Sequence, residues 1–185
     1  MESSDGEQGA GSGSNAAFSL LGDGVKRQLY RMKWTELRPI QIEAIHPILE
    51  GTSGCVIAAA SAGGQTEAQF LPILSQISEE ARGSVRAVYV GPLRALIKDQ
   101  FRRLEELCEY LEIPVYRWHG DVEASSKKRL LSAPAGVLLI TPESLESLFV
   151  NKSSEMRRLF AGLRYVVIDE LHVFLDSERG LHLAS

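Results

Sequence analysis

Five short apolar runs constrain this chain more than any other feature. They are VIAA (56–59), VRAVYV (85–90), PVYRW (114–118), VLLIT (137–141) and YVVID (165–169), each rich in β-branched residues and nearly continuous in apolar character. Helical runs lie between them. In Leu93, Leu96, Ile97, Phe101, Leu104, Leu107, Cys108 and Leu111 the apolar spacing alternates three and four, with Arg102, Arg103, Glu105 and Glu106 on the opposite face. Strands apolar on both faces, alternating with amphipathic helices, predict an α/β fold with a parallel sheet flanked by helices and right-handed crossovers. In open sheets of this kind ligands bind beyond the carboxyl ends of the strands, so the chemistry is sought there.

The remaining composition sets bounds. A chain of 185 residues, 44% hydrophobic and 24% charged, can bury one real core. Residues 1–16 are Gly, Ser and acid with almost nothing to bury, and read as a disordered tail ahead of a domain spanning 17–185. No apolar run is long enough to span a bilayer, which predicts no membrane partner. Cys55 and Cys108 make neither a disulfide framework nor a zinc spacing, so an intracellular, reducing compartment is expected. A formal net charge of −4 gives no general attraction to nucleic acid, and any such binding needs local arrangements and backbone donors.

Two strand ends stand out. After the 56–59 run come Ala60-Ser61-Ala62-Gly63-Gly64-Gln65-Thr66 and then a helix starting near Glu67. Small residues let backbone N–H groups approach phosphate oxygens, and the helix N-terminus adds its positive dipole end. Taken alone, with the first glycine and the lysine of a phosphate-binding loop both missing, the segment reads rather as a Gly-rich strand-to-helix turn. The 165–169 run ends in Asp169-Glu170-Leu171-His172. Nucleotide hydrolysis needs one carboxylate for the metal and a neighbour for the attacking water. An acid pair can also be an ordinary helix N-cap. The two features together favour a nucleotide site.

Leu37-Arg38-Pro39-Ile40-Gln41, the loop at 59–66, Val90-Gly91-Pro92-Leu93-Arg94-Ala95-Leu96, Thr141-Pro142-Glu143-Ser144-Leu145 and Asp169-Glu170-Leu171-His172 occur in the order found in superfamily 2 DExH/DEAD-box helicases. The chain resembles the large helicase-related branch most closely, with Trp118-His119-Gly120-Asp121 and Arg179-Gly180-Leu181-His182-Leu183 in support. The resemblance implies a RecA-like P-loop NTPase domain that binds ATP and Mg²⁺. By position it implies that Gln41 reads adenine, with Arg38 and Pro39 shaping that pocket, while Ala62, Gly63, Gly64, Gln65 and Thr66 cradle the β and γ phosphates. It gives the metal to Thr66 and Asp169 and the general base to Glu170. Pro92, Leu93 and Arg94, with Thr141, Pro142 and Glu143, would touch the sugar-phosphate backbone of one nucleic-acid strand. His172 would couple the ATP site to a second RecA-like domain. Pro39 also suits a first helical turn, and both readings hold together. His119 reads as a histidine without a role, and Lys127-Lys128-Arg129 as a solvated helix face.

One position departs from the pattern. Where the family carries a P-loop lysine this chain has Gln65. A neutral amide supplies no charge between β and γ phosphates, which predicts hydrolysis slowed roughly a hundred- to a thousand-fold. The two leading readings are the first motor domain of an ATP-dependent helicase or translocase with impaired hydrolysis, and a non-hydrolysing scaffold that binds nucleotide or nucleic acid. Another P-loop enzyme, such as a small kinase, leaves Arg38-Pro39-Ile40-Gln41 and Thr141-Pro142-Glu143 without a job. The resemblance also places a further strand, with a Ser-Ala-Thr-like segment, between the P-loop strand and the acidic-pair strand. Its expected position is beyond Ser185, so the domain is expected to be truncated before its last strand and to leave sheet edges unpaired.

Overall fold

The structure is a computed structural model and describes residues 7–51, 54–58, 64–79 and 82–175. These gather into two compact units that divide between Ser78 and Glu79.

The first unit is helical: α1 (Glu7–Leu20), α2 (Asp23–Arg31), α3 (Pro39–Glu50) and α4 (Gln65–Ile77). Pro39 opens α3, where its missing N–H costs nothing, and Gly51 closes it in the left-handed region at φ 60°. Nearly all of α4 is buried, with Ala68, Phe70, Leu71, Leu74 and Ile77 inaccessible to solvent, as expected of a helix apolar around most of its circumference. It packs along α3 and against α2. Gln76 Nε2 donates to the Leu49 carbonyl at 2.7 Å, tying the C-terminal end of α4 to that of α3.

The segment 1–16, read from composition as a disordered tail, needs correction over residues 7–16, because α1 begins at Glu7. Its Ser14 hydroxyl accepts the Leu37 N–H at 3.3 Å, Ala17 is buried, and Phe18 meets the Tyr30 ring edge-on at 5.5 Å. These contacts offset part of the ordering cost that composition alone assigns to the segment. Residues 1–6 lie outside the described residues.

The second unit holds a four-stranded sheet in the order β2-β3-β1-β4, formed by β1 (Ala87–Val90), β2 (Val115–Trp118), β3 (Val137–Ile140) and β4 (Tyr165–Ile168). All three pairings are parallel. The helices are α5 (Arg94–Cys108), α6 (Ala124–Ser132), α7 (Pro142–Asn151), α8 (Ser153–Leu159) and α9 (Leu171–Leu175). Val88, Val90, Leu138, Ile140 and Tyr116 form one core with Leu130, Leu148, Met156 and Leu159 from α6, α7 and α8. Helix α5 lies against β2 and β3 and buries Ile97, Leu104 and Leu107. Cys108 is buried in it, and burial pushes its thiol up to about 12. No helix among the described residues is long and apolar enough to cross a membrane.

Four of the five expected strands therefore form within the runs that announce them. The fifth does not. Residues 54–58 carry no regular secondary structure, and Val56 is 82% exposed. A strand exists only through its ladder, and no strand among the described residues pairs with this run. Strand β4 is less covered than β1 and β3. It stands at the edge of the described sheet, with Val166 57% and Ile168 37% exposed. Its counterparts in β1 and β3 are buried throughout.

This contrast predicts unequal sensitivity to truncation. Leu139→Ala in β3 should cost about 2–5 kcal/mol, because a buried leucine leaves a cavity. Val166→Ala should stay within about 0.5 kcal/mol, as at other exposed positions. Chemical denaturation followed by circular dichroism measures both.

Candidate nucleotide and nucleic-acid site

In the first unit the start of α3 and the start of α4 meet. Gln41 is 0% exposed, and its Oε1 accepts the Arg38 N–H at 2.9 Å, capping α3. Its Nε2 is buried with no protein partner among the described residues. A buried donor left unsatisfied costs about 1–3 kcal/mol, and such groups call for an explanation, a ligand acceptor among them. Gly64 leans on the same amide. A Cβ at Gly64 would stand 2.8 Å from Gln41 Nε2 and 3.1 Å from Arg38 Cδ, and its φ is +96°, so only glycine fits. The Gly64 carbonyl accepts the Ala68 N–H at 2.9 Å, which starts α4 at Gln65, two residues before the expected Glu67. The N–H groups of its first turn lack intrahelical acceptors and suit an anion. Thr66 is buried in that turn. The structure thus brings Arg38, Gln41, Gly64, Gln65 and Thr66 together. Ala62 and Gly63 lie outside the described residues.

In the second unit the parallel register sets four turns along one edge. Val90 pairs with Ile140 and Ile168, and Ile140 with Trp118. Just past those residues come His119-Gly120-Asp121, Thr141-Pro142-Glu143, Gly91-Pro92-Leu93-Arg94 and Asp169-Glu170. The Gly91 N–H donates to the Ile140 carbonyl at 3.1 Å and the Asp169 N–H to the Val90 carbonyl at 3.0 Å, so the ladder extends to the turns themselves.

At the β4 end the Asp169 carboxylate is held on both oxygens. The Tyr89 hydroxyl donates to Oδ2, and the Glu170 N–H donates to Oδ1 at 2.9 Å. Burial, then the bond to Asp169, raises the Tyr89 phenol above its ordinary range, so it remains a neutral donor. Glu170 sits in the left-handed region at φ 51°, a conformation costing a non-glycine residue about 1–2 kcal/mol. Its carboxylate lies 3.3 Å from Nδ1 of the exposed His172. Tyr89 is the residue that motif reading missed. Its signal was a tyrosine near the end of a strand otherwise aliphatic.

At the nucleic-acid segments Arg94 opens α5, and its Nη1 bonds Asp121 at 3.1 and 3.0 Å. Pro92 is buried and Leu93 exposed. Thr141 is the buried N-cap residue of α7, and its hydroxyl donates to Ser144 Oγ at 3.0 Å instead of capping the helix. Pro142 is buried and Glu143 exposed. Lys127 stands over the Trp118 ring at 5.7 Å. His119, read from sequence as a bystander, is buried, and neither ring nitrogen has a hydrogen-bond partner among the described residues. Burial lowers its pKa, with Asp121 opposing and Arg117, Arg94 and Lys127 assisting.

The donor set fits Mg²⁺. Among the described residues no cluster of three or more His, Cys, Asp or Glu could hold a metal alone. Mg²⁺ characteristically takes one or two protein oxygens and completes its shell with water and substrate phosphates.

A histidine whose folded pKa lies below its unfolded value favours the unfolded state once protonated. The contribution of His119 is therefore full above about pH 6.5 and falls as pH drops through that value toward the folded pKa. Melting curves between pH 7 and 5 should show a stability loss in the wild type that His119→Gln reduces.

Comparisons with known proteins identify the family and the fold. The DEAD/DEAH box helicase family model matches residues 38–185. The "ATP-dependent helicase Lhr-Core" of Methanothermobacter thermautotrophicus is 30% identical over 171 residues, covering 84% of this chain and 20% of the relative. Among solved structures, the Mycobacterium smegmatis helicase Lhr bound to ssDNA and AMP-PNP superposes with a TM-score of 0.72 at 27% identity, covering 91% of this chain and 22% of that one. The helicase MrfA bound to DNA and AMPPNP gives 0.72 at 26% identity, covering 84% and 22%. The chain spans about a fifth of the length of the curated relatives it matches. Its parallel sheet flanked by helices matches RecA-like helicase domains, and the chain belongs to the DEAD/DEAH box helicase family.

Proposed function

We propose that this chain is the ATP-binding first motor domain of a nucleic-acid helicase or translocase, with hydrolysis depressed by Gln65. The observation that carries the reading is the Gln41 amide. It is fully buried, bonded on its oxygen and without a partner on its nitrogen among the described residues, and it rests against the glycine that starts the phosphate-binding helix. A donor of that kind suits an acceptor on an adenine edge. Arg38 and Pro39 shape the entry to that site. Gly64 and the first N–H groups of α4 then face phosphate, while the phosphate-binding roles proposed for Ala62 and Gly63 rest on sequence position alone.

By the resemblance, Thr66 in the first unit and Asp169 in the second are each candidates to hold Mg²⁺, which when bound neutralises charge on the β and γ phosphates. Glu170 takes the proton of the attacking water. Its side chain is about half exposed and reaches only His172 among the described groups, so it is available as a base. Pro92 to Arg94 and Thr141 to Glu143 offer two helix N-termini to the backbone of a single strand. Arg94 must first exchange Asp121 for a phosphate, and an exposed ion pair of that type is worth only about 0–1 kcal/mol. His172, exposed beyond Glu170, contacts a second RecA-like domain.

Gln65 supports a second reading, a scaffold that binds without turnover. The family lysine places a positive charge where charge develops in the transition state, and a glutamine amide cannot. Gln65→Lys in the full-length protein should raise nucleic-acid-stimulated ATP hydrolysis about a hundred- to a thousand-fold. A folded Q65K protein with no gain favours the scaffold. Gln41→Ala should weaken ATP binding about tenfold, as for one lost hydrogen bond to a buried group, and weaken inorganic triphosphate binding much less. Equal losses for both ligands would remove Gln41 from the adenine site.

A further inference from the structure

Tyr89 has no role in the reading above, yet it makes the closest side-chain contact to the proposed metal ligand. It is 1% exposed, in the interior of the second unit. Tyr89 pairs in register with Val167, and Asp169 follows two residues later. Alternate residues share a face of a strand, so Tyr89, Val167 and Asp169 lie on one side of the sheet, with the tyrosine leaning toward the strand end. Gly91 leaves room for that lean, because a Cβ there would come 2.9 Å from Tyr89 Cε1. A phenylalanine would fill the same space. The hydroxyl is what donates to Asp169 Oδ2.

The second oxygen of Asp169 takes the Glu170 N–H. Both donors are neutral, and among the described residues no Lys, Arg or His pairs with Asp169. Asp121 differs, with its charge spent on Arg94. The Asp169 carboxylate is thus fixed in orientation while its charge stays uncompensated, the state that suits an incoming cation. Groups that hydrogen-bond a metal ligand typically change metal affinity about 10–100-fold when removed.

We propose that Tyr89 is a positioning residue that holds Asp169 in the orientation required for Mg²⁺. This rests on the reading of Asp169 as a metal ligand. The test is titration of Mg²⁺ into this chain with a fluorescent adenine nucleotide at fixed concentration, alongside nucleotide affinity in EDTA and the melting midpoint. Tyr89→Phe should raise the half-saturating Mg²⁺ about tenfold, with EDTA affinity and melting unchanged. Asp169→Asn should abolish the Mg²⁺ response. A wild-type Mg²⁺ response in Y89F, with that response lost in D169N, overturns the proposal and leaves the metal reading standing. A wild-type response in D169N, or none in the wild-type chain, overturns both. If Y89F does not fold, Gly91→Ala, which displaces the ring with its hydroxyl intact, should give the same rise. An unchanged Mg²⁺ response in folded G91A then counts against Tyr89.

Discussion

Parallel register is the constraint on which the second unit depends. Four strands aligned from Val90 through Ile140, Trp118 and Ile168 end together, so the residues just past them share one edge. No long-range attraction between motifs is needed to gather them. Burial of β1 and β3 on both faces holds these strands in the middle of the sheet, and their shared register brings the strand ends level. The motifs follow the core to their places.

At that edge and at the start of α4, charge is handled in two ways. Arg94 is satisfied by Asp121, leaving little bare positive charge on a chain that is acidic overall. Asp169 is oriented by neutral donors and pairs with no Lys, Arg or His among the described residues. In the first unit the α4 N-terminus supplies partial positive charge, and Gln65 adds none. On the proposed reading this arrangement binds phosphate through backbone groups, and Gln65 withholds the cation that turnover uses.

Much of this was legible in the residues. The β-branched runs at 85–90, 114–118, 137–141 and 165–169 became strands because each has a neighbour in the sheet, and Pro39 marked the first residue of α3. The 56–59 run has the same composition and forms no strand over 56–58, since composition states a preference while pairing requires a partner. Helix α1 escaped because Ser14 and Ala17 gain from contacts with residues distant in sequence. Tyr89 escaped because the other residues of its strand, Ala87, Val88 and Val90, are aliphatic, and only the pairing of β1 with β4 brings it to Asp169. Buried His119 could not be told from a surface histidine without knowing where the β2 turn folds back.

The most direct test of the account is an assigned NMR titration of this chain with Mg²⁺ and a non-hydrolysable ATP analogue. The account predicts saturable shifts at the Gln41 side-chain amide and at the Gly64, Gln65 and Thr66 N–H groups. Further shifts at Asp169 and Glu170 should appear only when Mg²⁺ is present. Shifts confined to other residues, or metal-independent changes at Asp169, would contradict it.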